Sequence, residues 1–173
     1  YEDATAMSKI FMNTQLAACG GCMAGAAITR LVGGKTDIVM MLNGALAGLV
    51  CITAEPLMPS PLFSRGIGAV GGIIMYYGTN LLNTLKLDDV VGAIPVHMFA
   101  GIWGTLVVPL TNPDASFSIQ ILGVFSVCIF VFVFSYIVIY LIKSIMGLRI
   151  SEEAEKLGTD KAEVGVVAYS IRD

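Results

Sequence analysis

"GAIPVHMFAGIWG", residues 92–104, contains the single histidine of this chain, inside an apolar run that extends from Val90 to Leu110. An ionisable side chain within such a run is expensive in hydrocarbon, and it normally faces a bundle interior or a cavity. The stretch therefore predicts an interior helix of a membrane bundle, with His97 as its functional candidate. Pro95 stands two residues before the histidine, and Gly101 and Gly104 follow four and seven residues after it. A proline there removes one backbone bond and crowds the carbonyl of Val91, which predicts a bend buried in protein.

The totals agree with a membrane protein. Of 173 residues, 56% are hydrophobic and 13% charged, against about 25% charged in soluble domains, and the mean hydropathy is +0.82. A net charge of −3 offers no basic surface to a nucleic acid. The opening "YEDATAMSKIF" has neither an initiator Met nor a secretion signal, and reads as part of something longer.

Because a bilayer core of roughly 30 Å needs about 20 apolar helical residues, five spans are expected, over 10–29, 38–54, 66–85, 90–110 and 119–142. The breaks are "GGKTD", "EPLMPSPLFSR", "KLDD" and "TNPDAS". The apolar runs are continuous rather than alternating, which argues against strands. The expected fold class is an all-α polytopic transmembrane helix bundle over residues 1–147, followed by a tail over 148–173. Arg30, Lys35, Lys86, Lys143 and Arg149 fall on one side of such a bundle, and Lys9 and Arg65 on the other. The first side is then cytoplasmic, which puts the start of this segment outside and its tail inside the cell.

Pairs of glycines at four-residue spacing, Gly21 with Gly25, Gly44 with Gly48 and Gly68 with Gly72, read as close helix packing in lipid. Cys19-x-x-Cys22 has no second pair, histidine or acid to complete a metal site, and reads as two small helix residues. Taking 90–110 as a regular helix places Val90, Ala93, Ile94, Ala100, Gly101, Gly104 and Val108 near the face of His97. Phe99, Ile102 and Leu106 lie opposite, with Trp103 on a flank facing lipid or a subunit. Two roles stay open for the imidazole on that face: a hydrogen-bonded structural group, or the wall of a narrow path. Glu55 reads as an acid at the outer interface, with recruitment of cations as the other reading. The tail carries six acids against four bases, and Ser151 before Glu152 and Glu153 reads as a helix start.

The stretches "FMNTQLAA" (11–18), "MLNGALAGLVCIT" (41–53), "LDDVVGAIPVHMFAGIWG" (87–104) and "GLRISEEAE" (147–155) resemble the second half of the ammonium transporter (Amt/Mep/Rh) family. The resemblance implies a fold of eleven spans in two inverted repeats, assembled as a homotrimer, with these five as the last ones. It makes His97 the second member of a pore histidine pair, with the first member and the gate in the other half. Thr53 matches a threonine near the outer end of a pore helix, so the expected pore set is His97, Thr53, Ala93 and Gly101. Asp89, matching an acid at the cytoplasmic loop, and Pro95 are expected structural supports. The implied substrate is ammonium or ammonia, moved through an apolar pore with the histidines relaying a proton. No cofactor, metal or enzymatic step is implied.

The chain also departs from that family's pattern. Met98 follows His97 where transporters commonly have glycine, Gly92 stands where an acid is frequent, and Val164-Gly165 replaces a His-Gly pair in the tail. These departures look more like the branch in which the membrane domain senses ammonium and signals to a cytoplasmic output domain. Transport and sensing are thus both expected readings, with the 148–173 tail as the contact for a signalling domain or regulator.

Overall fold

The computed structural model describes residues 2–168, and among them there are helices and turns but no strands. Five principal elements follow one another: α1 (Glu2–Gly33), α2 (Ile38–Ile52), α3 (Pro61–Thr84), α4 (Ala100–Val107) preceded by a π-helical turn (Ile94–Phe99), and α5 (Phe117–Met146). A short α6 (Glu152–Leu157) and a second π turn (Asp160–Val164) complete the tail. The chain divides into two compact units between Phe125 and Ser126.

Local chemistry explains the boundaries. α1 extends to both sides of the apolar run 10–29, and Glu2 and Asp3 among its described residues are acidic. It ends at Gly33, where the Arg30 guanidinium donates to the Gly34 carbonyl at 2.7 Å. Asp37 caps α2 by accepting from the Met40 N–H at 3.0 Å. α3 starts five residues earlier than its apolar run, at Pro61, since Ser60 caps it and proline suits the first helical position. In the tail, Ser151 accepts from the Ala154 N–H and opens α6 as expected.

Two helices, Glu2–Gly33 and Phe117–Met146, are long and apolar enough to cross a membrane, and Ile38–Ile52 and Ile94–Leu110 are shorter apolar helices. No residue of α5 is buried.

In the first unit, α1 lies between α2 and α3 at backbone contact. A Cβ on Gly21 would meet the Gly44 carbonyl, one on Gly48 or on Gly68 would meet the Ala17 carbonyl, and one on Gly72 would lie 2.6 Å from the Gly21 carbonyl. These pairings run α1 against α2 in opposite directions and α1 beside α3 in the same direction. Apolar burial gives little drive between helices in lipid, so such contact supplies dispersion energy instead. The buried core mixes small side chains, Ala17, Ala47, Cys51 and Ala100, with the larger Ile52, Ile67, Met75, Val96 and Val107.

Polar anchors fix the two ends of the unit. At one end the Asn13 amide, fully buried, donates to the carbonyls of Pro56 and Pro59 at 2.8 and 2.9 Å. There too Asn112 donates to Glu55 at 3.1 Å, joining the loops after α2 and α4. Glu55 thus serves as a half-buried structural acid. At the other end the Thr29 hydroxyl accepts from the Asp37 N–H at 3.2 Å and ties α1 to the α2 cap.

Candidate functional site

The segment carrying His97 differs from the regular helix expected over 90–110. Residues 90–92 are not helical, and the chain enters the bundle through a cap at Asp89. One Asp89 carboxylate oxygen accepts from the Ala93 N–H and the other from the Ile94 N–H, each at 2.8 Å. Asp89 thereby satisfies two of the four donors that any helix start leaves open.

Pro95 then brings the predicted irregularity, in the form of a π turn from Ile94 to Phe99 rather than a simple kink. Its missing N–H leaves the Val91 carbonyl without the donor an α-helix would provide. The side-chain amide of Asn43, on α2, donates to that carbonyl at 3.1 Å. Gly92 makes the approach possible: its φ is +74°, and a Cβ there would lie 3.0 Å from the Asn43 amide nitrogen. On the other side, α3 receives the turn at Gly78, where a Cβ would meet the Phe99 ring and sit 3.2 Å from the Pro95 ring.

His97 is exposed on the turn so held, as are Ala93 and Met98, while Pro95, Val96 and Ala100 are buried. The imidazole makes no hydrogen bond among the described residues. Gly101 is half-buried, with the Val50 side chain 3.6 Å from where its Cβ would be. Thr53 caps the end of α2, exposed, with its hydroxyl donating to the Val50 carbonyl at 2.6 Å. It lies about a helical turn beyond the level of Gly101, since α2 and the His97 segment run side by side in one direction.

Three residues that the regular wheel put near the imidazole differ from it in burial. Ala100, Gly104 and Val108 are buried, whereas His97 is exposed. A Cβ on Gly104 would meet the Cys51 carbonyl, and the Cys51 thiol donates to the Ala100 carbonyl at 3.2 Å. A π turn advances by less than 100° per residue, which rotates everything after Phe99 relative to the wheel. Trp103 is displaced by the same effect: it packs against the core, and its indole N–H donates to the Ile67 carbonyl of α3 at 3.1 Å.

Asn43 is the residue that sequence reasoning missed. It is the one amide in the apolar α2, and a polar group in such a helix needs a partner. That signal, taken with a proline whose orphaned carbonyl must be met, was available. A separate open concavity of about 390 Å³ lies between Thr29, Lys35, Asp37, Tyr76 and Asn80, and none of the expected site residues line it. Among the described residues no group of three or more His, Cys, Asp or Glu is placed to hold a metal.

A family model described as Ammonium Transporter Family matches residues 1–169. An ammonium transporter of Archaeoglobus fulgidus is 38% identical over an alignment covering 94% of this chain and 39% of the relative. One from Haloferax mediterranei is 34% identical, covering 95% of this chain and 33% of its own. Among solved structures, a protein titled Sensor Amt Protein superimposes with a TM-score of 0.85 at 28% identity, over 91% of this chain and 42% of that one. The chain thus spans well under half the length of these relatives.

Proposed function

The chain belongs to the ammonium transporter family, and from that premise we propose that it supplies the second histidine of an ammonium pathway through the cell membrane. The observation that carries this reading is the placement of His97: an unpaired, exposed imidazole on an irregular turn whose backbone is fixed from three sides. A structural histidine would be expected to engage a partner within its own packing, and among the described residues this one has none.

The chemistry suits the ligand. Ammonium loses most of its hydration in a dry passage, at a cost of several kcal/mol, whereas ammonia carries no net charge. A neutral imidazole has one donor and one acceptor nitrogen, and so can hydrogen-bond ammonia or pass on a proton. His97, with Ala93 and Gly101 on its segment and Thr53 near the outer mouth, then lines one wall, and the opposite wall comes from a first half of the kind the family's inverted repeat implies. Asp89 and Pro95 hold the segment in place without touching the substrate. The assembly is a homotrimer in the bilayer, five spans of each subunit being those read above, with the tail in the cytoplasm.

Electrophysiology of the full-length protein on a solid-supported membrane tests this. An ammonium concentration jump should evoke a current that His97→Ala abolishes or strongly reduces. Tight ammonium binding with no current in the unmodified protein would defeat the transport reading and leave a receptor. That second reading draws its support from the likeness to the sensor protein and from Met98 beside the histidine. In it, occupancy of the same site is passed on through residues 148–173 to a signalling domain or regulator.

A further inference from the structure

We propose that Asn43 is a positioning residue for His97, acting through the backbone carbonyl that Pro95 leaves without a partner in its own helix; the proposal rests on the reading of His97 as a pathway residue. With no hydrogen bond of its own among the described residues, the imidazole is aimed by the backbone of its turn. That turn has a fixed start, where Asp89 holds the Ala93 and Ile94 N–H groups, and a fixed packing face, where Pro95 and Phe99 rest on Gly78. Between them one group is left over. The Val91 carbonyl faces a proline four residues on and has no donor from that position of its own segment.

Asn43 is built for that carbonyl and for little else. It is the only amide in α2, it is half-buried, and its Nδ2 reaches Val91 at 3.1 Å. The same nitrogen sits over Gly92, at a distance that a side chain at 92 would contest. The amide at 43 and the bare backbone at 92 are therefore one device. An acid at position 92, frequent in the family pattern, and Asn43 in this pose exclude each other. The device cross-links α2 to the turn six residues before His97, and so sets how far the π turn is wound when it presents the ring.

A double-substitution cycle in the full-length protein tests this. Pro95→Ala returns a backbone N–H to Val91, so the carbonyl no longer depends on Asn43. Asn43→Ala alone should move the ¹⁵N signal of the His97 ring, assigned by its loss in His97→Ala. It should also slow ammonium-driven transport about fivefold, the factor that one net hydrogen bond carries. In the Pro95→Ala background the same Asn43→Ala change should leave the ring signal in place and alter transport by less than about twofold. Equal effects of Asn43→Ala in both backgrounds, a double variant that does not fold where Pro95→Ala does, or a ring signal unmoved by Asn43→Ala alone would each overturn the proposal. The ring signal needs no transport, so a protein that only binds ammonium is tested equally well.

Discussion

Asp89 gives both carboxylate oxygens to backbone N–H groups at the start of the His97 segment, and its replacement isolates that role from any contact with substrate. Asp89→Ala should lower stability by about 1–2 kcal/mol, the range for loss of a helix cap. The comparison is made by thermal unfolding in detergent, and an unchanged transition would contradict the capping role. Trp103 offers a second single-residue measurement. Trp103→Phe keeps most of the packed ring but removes the indole donor to the Ile67 carbonyl, so a loss of about 1 kcal/mol is expected. Had Trp103 faced lipid, one of the two surroundings its flank position suggested, the exchange would be nearly neutral. In the tail, Asp160 accepts from the Ala168 N–H at 2.9 Å, and this bond, with that of the Lys161 N–H, holds its carboxyl below the usual value. A depressed folded-state pKa stabilises the turn above the ordinary carboxylate range and ceases to do so as pH falls through the folded value. Protection of the Ala168 amide, its exchange measured against the intrinsic rate at each pH, should therefore fall on acidification, and a pH-independent protection would rule out the contact.

At the scale of elements, the α1 crossing rests on absent side chains. On an open helix surface Gly→Ala is favourable by about 1 kcal/mol. At Gly21 it should instead destabilise by about 1–3 kcal/mol through overpacking, because the α2 backbone at Gly44 and Gly48 occupies the space. Gly66→Ala and Gly123→Ala meet nothing within 4 Å and serve as controls expected to be neutral or stabilising. Size-exclusion profiles and melting curves of the three variants decide the matter; a Gly21→Ala protein as stable as the controls would remove the close crossing. The sequence announced this contact through its four-residue glycine spacing, as it announced the cap at Ser151, whereas the caps at Asp37 and Ser60 came from the structure. It did not announce the π turn, since a proline in a helix permits a kink, a break or a widened turn, and packing against Gly78 and Asn43 selects among them.

For the whole molecule, the directions of α1, α2 and α3 gather Arg30, Lys35 and Lys86 at one end of the first unit and Lys9 and Arg65 at the other. If the first end is cytoplasmic, a cysteine placed at Lys35 should be shielded from an impermeant thiol reagent in intact cells, and one placed at Lys9 should be modified. Labelling of both from one side would remove the proposed topology. α5 has no buried residue although it is long and strongly apolar, a surface suited to hydrocarbon or to protein outside these residues.

Composition and hydropathy, acting over whole segments, were enough to determine an all-α chain for a membrane, because lipid leaves a backbone few ways to satisfy its polar groups. Periodic glycines and capping residues were legible for the same reason: each acts within a few positions of where it stands. The surroundings of His97 were not, since they depend on an amide 48 residues away reaching the Val91 carbonyl and on how far one turn widens to meet α3. A change of winding at Phe99 re-aims every side chain after it, and only the packed helices fix its size.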